Sequence, residues 1–167
     1  MTDSGESMST RLRSVAALIV STGTCLLVGV SGSLVTATSV REWYPHIQKP
    51  WWTPPSAVFG PVWTVLYLLM GVSAWLIWRD TVGSARRSAL LIFATQLVLN
   101  GAWSFLFFGL RSPGWAALEI VLLWSSIVAT MLAFSRIHRL AAALLLPYLA
   151  WVSYAMALNF AIWNLNR

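Results

Sequence analysis

An all-α membrane protein, built as a bundle of five transmembrane helices, is the fold class this sequence predicts. Three observations carry that reading. The 167 residues are 58% hydrophobic and only 10% charged, whereas a soluble domain carries about 25% charged residues. The apolar residues gather into five runs, Ser14–Thr36, Ser56–Trp78, Ser88–Leu110, Gly114–Phe134 and Leu140–Trp163. Each run is long enough to cross a hydrocarbon core, which takes about 20 helical residues at about 1.5 Å per residue. The runs do not alternate, and strands of a membrane barrel would be nearer ten residues. The chain is therefore read as a polar N-terminal tail, 1–13, expected to be disordered, and a single membrane domain, 14–167.

The first run follows Arg11 and Arg13, as the core of a signal peptide would. It is longer than the usual 7–15 apolar residues of such a core, and no Ala-x-Ala site follows, so it is read as a helix. Cys25, the single cysteine, falls inside this run, which leaves no intramolecular disulfide and no thiolate zinc cluster.

Between the first two helices lies the most unusual segment, Trp43-Tyr44-Pro45-His46-Ile47-Gln48-Lys49-Pro50-Trp51-Trp52-Thr53-Pro54-Pro55. Trp and Tyr favour the headgroup level, where one end of the ring is apolar and the other meets water. A rigid, proline-fixed aromatic loop suits either a headgroup anchor or a lid over a flat apolar ligand. Thr53-Pro54-Pro55 reads as an N-cap followed by prolines in the first turn of helix two. Pro61 and Pro147 fall further inside helices two and five, where a proline kinks the helix or thins its hydrogen-bond ladder.

The remaining connections, Arg79–Arg87, Arg111–Pro113 and Ser135–Arg139, are short, so neighbouring helices are antiparallel. Alternating sides place Arg11, Arg13, Arg79, Arg86, Arg87, Arg136 and Arg139 with the N-terminus. Arg41, Lys49, Arg111 and Arg167 fall opposite. Seven basic residues against four favour a cytoplasmic N-terminus in a bacterial inner membrane. The net charge of +6 thus consists of membrane-flanking anchors. There is no basic stripe to follow a phosphate backbone, so nucleic acid is not an expected partner.

Helix three carries Gln96, Asn100, Trp103 and Phe107 on one face. Amides in a span are costly unless paired, so this face turns to the bundle or to a ligand. Gln96 is read as an interhelical hydrogen bond, and Asn100, beside Trp103, as a pocket residue. Helix two presents Trp63, Tyr67, Met70 and Ala74 on one face, and helix five presents Tyr148, Trp151, Ala155, Asn159 and Ile162 on another. Such stripes often serve packing alone. Eleven tryptophans favour a ligand box, because packing is served as well by Leu or Phe, which have no indole N–H to satisfy. Glu119 is the acid inside a span, with Arg111 or an amide of another helix as its expected partner. His46 and His138 are loop residues, read as structural rather than as haem ligands. No nucleophile–base pair, phosphate loop or metal cluster is visible.

Together these residues resemble the TspO/MBR family, the tryptophan-rich sensory proteins of bacteria and the mitochondrial translocator (peripheral benzodiazepine receptor) proteins. The resemblance rests on Trp43-Tyr44, Lys49-Pro50 with Trp52, Pro54-Pro55, Phe59 to Trp63 with Leu66-Tyr67 and Met70. It continues through Gln96 with Asn100 and Trp103, Phe107-Phe108-Gly109, and Pro147-Tyr148 with Trp151, Ala155 and Leu158-Asn159. It implies a five-helix bundle, commonly a homodimer, with a central pocket open toward the first loop. That pocket takes porphyrins, haem and drug-like isoquinolines or benzodiazepines; no cofactor is required. Mapped here, the ligand residues are Trp43, Trp51, Trp63, Tyr67, Asn100, Trp103, Trp151 and Ala155, with Glu119 at a position where many members carry an acid. Some bacterial members degrade protoporphyrin IX in light, and the resemblance makes Trp63 and Trp151 the photochemical pair.

The implied role is regulation or stress sensing in porphyrin homeostasis. Light-dependent porphyrin degradation and transport of porphyrin or lipid are the alternatives. The sequence shows no internal repeat and no mid-membrane helix break of the transporter kind. Animal members end helix five with a proposed cholesterol motif, a Tyr followed by an Arg. Here Phe160 and Asn164 stand at those positions, which argues against sterol binding there and toward a bacterial member. The implied location is a bacterial cell membrane, inner or outer, or the mitochondrial outer membrane in a eukaryote.

Overall fold

The computed structural model describes residues 3–167, with side chains from Met8 onward. Among the described residues, five stretches are long and apolar enough to cross a membrane, so the predicted all-α membrane fold is observed. Helix α1 spans Asp3–Glu42, α2 Ser56–Asp80 and α3 Gly83–Ser104. A π-helical turn, Phe105–Gly109, prolongs α3. Helix α4 spans Pro113–Ser135, α5 Arg139–Ala143 and α6 Leu146–Leu165.

α1 starts well before Ser14, so the segment expected to be a disordered tail is helical from Asp3. Met1 and Thr2 lie outside the described residues. No proline precedes Pro45, and once apolar turns have nucleated a helix, each added residue costs little. Hydroxyls along α1 bond back to carbonyls one turn earlier, Thr22 to Leu18 at 2.6 Å and Thr36 to Gly32 at 2.7 Å. A polar side chain in a span is thereby satisfied without a partner helix. Most of α1 is exposed to the surroundings of the bundle, with Leu12, Ile19, Leu27 and Leu34 turned outward. Its inner face packs on α2, where Gly71 admits the backbone of Thr22: a Cβ there would lie 2.5 Å from Thr22 Cα.

α2 follows Pro55 directly, and Thr53 does not cap it. The Thr53 hydroxyl instead donates to the Pro50 carbonyl at 2.7 Å, closing a turn within the loop. The α2–α3 connection is only Thr81 and Val82, with Gly83 entering α3 at φ +67°. The π-turn is closed by Leu110 N–H donating to Phe105 O at 2.8 Å. Arg111, left-handed at φ 51°, then reverses the chain into α4, whose first turn holds Pro113.

α4 is the central helix, packed between α3 and α6. The last predicted span, 140–163, is two helices. The break falls at Leu144–Leu145, so Pro147 lies in the first turn of α6 rather than in a helix interior. A proline lacks an N–H and is accommodated where the helix has no acceptor to offer it. His138 caps α5 by accepting from Ala141 N–H at 3.2 Å, and its Nε2 lies 3.2 Å from Asp80. His46 Nδ1 sits 2.9 Å from the Glu42 carbonyl. Both histidines are thus used locally by the fold.

Candidate functional site

The aromatic residues of the bundle and its first loop form three neighbouring piles. On the loop side, Trp103 stacks on Phe107 with centroids 5.2 Å apart, and Trp43 meets the same Phe107 edge-on at 5.7 Å. Deeper in, Trp63 stacks on Tyr67 at 5.5 Å and meets Tyr148 edge-on at 6.2 Å. Trp151 lies edge-on to Phe59 at 5.8 Å and 6.0 Å from Tyr154. Offset and edge-on contacts of this kind are the favoured aromatic geometries.

Three polar links order the piles. Tyr67 donates to Asn100 Oδ1 at 2.6 Å, and Asn100 Nδ2 donates to the Tyr148 hydroxyl at 3.1 Å. Asn100 is 2% exposed and joins α2, α3 and α6. Trp103 Nε1 donates to Asn159 Oδ1 at 2.9 Å, and Asn159 Nδ2 donates to the Pro113 carbonyl at 2.8 Å. Trp124 Nε1 donates to Ser153 Oγ at 2.9 Å, fixing α4 against α6.

The two amides of α3 therefore exchange the roles expected of them. Asn100 is the interhelical bond. Gln96, 1% exposed, has neither amide atom hydrogen-bonded to the protein. Glu119, 7% exposed, likewise has both carboxyl oxygens unpartnered. Arg111, proposed as its partner, instead pairs with Glu42 at 3.4 Å. Arg111 lies in the loop, and its left-handed backbone turns it toward the end of α1.

The loop is fastened over this end of the bundle. Lys49 donates to the carbonyls of Tyr44 at 2.6 Å and Ile47 at 2.8 Å, and its ammonium lies 4.9 Å from the Tyr44 ring centroid. Burial pushes the Tyr44 phenol above its ordinary range, with Tyr154 adding to the effect. Gln48 and Asn166 exchange hydrogen bonds of 3.0 and 2.9 Å, and Tyr154 donates to the Trp52 carbonyl at 2.7 Å. The loop is thus tied to α6 at two points. Trp51 is 94% exposed and joins none of this. It occupies the outer corner of the turn closed by Thr53 N–H and Pro50 O, 3.1 Å apart. Trp52, the next residue, faces inward with its ring 5.5 Å from Tyr154.

An apolar groove of 540 Å³ opens beside these piles, lined by Pro61, Val62 and Leu66 of α2 and by Pro147, Trp151 and Tyr154 of α6. That volume lies within the about 300–1,000 Å³ of small-molecule sites. α2 and α6 make few close backbone approaches, and side chains bridge them. The indole N–H of Trp151 is buried here with no acceptor in the protein. Of the expected ligand residues, Trp151 lines the groove. Trp63, Trp103 and Ala155 pack against the core, Tyr67 and Asn100 lie within it, and Trp43 belongs to the neighbouring loop-side cluster. Sequence reasoning passed over Tyr154, and it used Trp52 only as part of the family resemblance, not as a site residue. Tyr154 sits three residues after Trp151 on one helical face, a signal that could have found it.

Comparison with known proteins agrees with this architecture. The family model for the TspO/MBR family matches residues 21–164. The chain is 43% identical over 155 residues to the tryptophan-rich protein TspO of Chlorobaculum tepidum, covering 92% of this chain and 98% of that protein. It is 41% identical over 128 residues to the human translocator protein, covering 75% and 76% of the two chains. It is 39% identical over 125 residues to the tryptophan-rich sensory protein of Cereibacter sphaeroides, covering 75% and 77%. With the match running from the middle of α1 almost to the end of α6, this five-span, tryptophan-lined chain belongs to the TspO/MBR family of integral membrane proteins.

Proposed function

We propose that this protein binds tetrapyrroles, protoporphyrin IX or haem, in the membrane and serves a regulatory or stress-sensing role in porphyrin homeostasis. The observation that carries the reading is the 540 Å³ apolar groove between α2 and α6, walled by Trp151 and Tyr154; the Trp151 indole N–H itself is buried without a protein acceptor. A buried donor left unpaired costs about 1–3 kcal/mol. A ligand acceptor that reaches this N–H recovers that cost. The groove's neighbours are flat: Phe59 and Tyr154 flank Trp151, and Trp63 stacks on Tyr67 just inside. Flat aromatic walls beside a buried unpaired donor suit a planar conjugated ring that carries carbonyl or carboxylate groups. The word "sensory" in a relative's name agrees with the regulatory part.

Titration of the purified protein with protoporphyrin IX in the dark tests this. Saturable quenching of tryptophan fluorescence is expected in the micromolar range or tighter, about −8 kcal/mol. Absence of saturable quenching, with the helical circular dichroism intact, refutes the reading.

A second reading, light-dependent degradation of bound porphyrin, is favoured by a separate feature. Trp151 borders the groove, and Trp63, stacked on Tyr67, packs against the same core. Oxidisable indoles would then lie beside an excited pigment.

A further inference from the structure

Seven arginines stand at the end of the bundle that holds the N-terminus, and contacts between the helices bring them to one level. Trp75 Nε1 donates to the Ser14 carbonyl at 3.0 Å, which sets Arg11 and Arg13 of α1 beside Arg79 at the end of α2. Arg86 Nε donates to the Thr81 carbonyl at 2.6 Å and holds the start of α3 there. His138 Nε2 lies 3.2 Å from Asp80, which brings in the corner between α4 and α5 with Arg136 and Arg139. Phe93 of α3 stacks on Phe134 of α4 at 5.9 Å. Arg87 precedes Phe93 and Arg136 follows Phe134, so both lie outward of that layer, within about 9 Å of it along the helix axes.

The two ends of the bundle treat their cations differently. At the loop end, Arg111 pairs with Glu42, Lys49 is held by three carbonyls and the Tyr44 ring, and Arg167 lies over Trp163. Among the described residues, Arg41 alone is left there without a side-chain partner. At the N-terminal end, Arg79 takes Asp80 and the Trp75 ring, and Arg86 takes the Thr81 carbonyl and the Trp78 ring. Asp80 is the acid of this end among the described side chains, and Arg79 and His138 share it. The side chains of Arg11, Arg13, Arg87, Arg136 and Arg139 have no partner among the described residues. The excess of positive charge is thus left standing at one end.

What lies inward of these cations selects the partner. Val15 is one turn inward of Arg11 on the same face of α1, Leu91 one turn inward of Arg87 on α3, and Leu132 one turn inward of Arg136 on α4. All three are exposed on the outside of the bundle. Each of these helices therefore offers a guanidinium with an aliphatic side chain beneath it. A guanidinium matches phosphate oxygens with paired N–H donors. A soluble polyanion or an acidic protein would use the cations and leave the aliphatic residues bare. A phospholipid uses both. A zwitterionic headgroup brings its own cation and leaves the excess charge in place, so the fitting lipid is anionic.

We propose that this end of the bundle is a docking surface for anionic phospholipid, with phosphate groups on the unpaired arginines and acyl chains along Val15, Leu91 and Leu132. Basic residues flanking a span are drawn to an anionic leaflet in this way. The surface is separate from the groove between α2 and α6, and it does not depend on what that groove binds.

Native mass spectrometry of the delipidated full chain tests this, with phosphatidylglycerol and phosphatidylcholine of identical acyl chains added in equal amounts. The wild type is expected to retain phosphatidylglycerol about tenfold over phosphatidylcholine, and the preference is expected to shrink as salt is raised. Arg87→Gln combined with Arg136→Gln and Arg139→Gln is expected to lower phosphatidylglycerol retention about tenfold and to leave phosphatidylcholine unchanged. These side chains are exposed, so the helical circular dichroism is expected to stay intact. Arg41→Gln combined with Arg167→Gln, at the loop end, is expected to leave the lipid preference as it is. Glycerophosphoglycerol, the headgroup without its chains, and a polyglutamate peptide are expected not to compete at the lipid's own concentration.

Equal retention of the two lipids overturns the proposal. So does a triple variant that holds phosphatidylglycerol as the wild type does, or a loop-end variant that loses as much. Competition by the free headgroup as strong as by the intact lipid assigns the surface to a soluble anion, and competition by polyglutamate assigns it to an acidic protein; either result overturns the lipid assignment. None of these outcomes alters the porphyrin titration, which reads the groove.

Discussion

The Tyr67 hydroxyl donates to Asn100 Oδ1 at 2.6 Å, and through Asn100 Nδ2 the chain of hydrogen bonds continues to Tyr148. One amide thus joins three helices inside the bundle. Asn100→Leu is expected to leave two buried phenols without their partner, at about 1–3 kcal/mol each. Gln96→Leu removes a buried amide that bonds to nothing in the protein, so it is expected to be neutral or stabilising in the ligand-free state. Thermal unfolding of both variants in one detergent, followed by circular dichroism, checks this. Equal midpoints would show that Asn100 does not link the helices.

The exchange of roles between these amides marks a limit of sequence reading. Helical periodicity places Gln96 and Asn100 on one inward face, and both are buried. Which of them meets a partner depends on the height at which Tyr67 and Tyr148 cross α3, and no spacing within α3 encodes that. The spans themselves were legible because about twenty apolar residues leave few alternatives. The break ahead of Pro147 was half legible: the proline signals a disturbed helix, but not that it restarts at Leu146. The π-turn over Phe-Leu-Phe-Phe-Gly has no composition that announces it. Trp51 and Trp52 are indistinguishable as residue types, and only the Pro50–Thr53 turn sends one outward and one inward.

Helix α1 meets α2 through a glycine, and that contact is expected to be intolerant of any side chain. A Cβ at Gly71 would stand 2.5 Å from Thr22 Cα and 2.9 Å from Thr22 N. Those are backbone atoms, which a rotamer change cannot move. Gly71→Ala is expected to destabilise by about 1–3 kcal/mol through overpacking. Gly60→Ala, where nothing lies within 4 Å, serves as the control. Comparable unfolding midpoints for the two variants would mean that α1 shifts freely on α2.

Lys49 holds the loop from within, through three backbone carbonyls and the Tyr44 ring. Hydrogen bonds to a charged group contribute about 1.5–3 kcal/mol. Lys49→Met keeps most of the stem and removes the ammonium. Its expected effect is faster amide exchange confined to residues 43–53, with little change in the midpoint of global unfolding. Hydrogen exchange read by mass spectrometry checks this. Unchanged protection of the loop would assign its order to the Gln48–Asn166 and Trp52–Tyr154 links alone.

Binding and photochemistry separate at the indoles. Phenylalanine preserves an aromatic face, but it lacks both the N–H and the readily oxidised ring of tryptophan. Trp151→Phe removes a buried donor that is unpaired in the ligand-free protein, so it is expected to weaken dark binding of protoporphyrin IX by about 0.5–1.5 kcal/mol, or several-fold. Trp63 contributes through stacking on Tyr67 and contact with Tyr148, and phenylalanine retains both surfaces, so a smaller loss is expected there. Under illumination the comparison must be made per bound porphyrin, at saturating protein, so that affinity does not enter the rate. On that basis both single variants are expected to slow porphyrin loss, and the double variant to slow it further. The degradation products should diminish in step, as read by absorption and mass spectrometry. A double variant that consumes bound porphyrin at the wild-type rate would make Trp63 and Trp151 packing residues. The loss would then be bleaching of a pigment that happens to be held in a protein, and the enzymatic reading would have no residue to stand on.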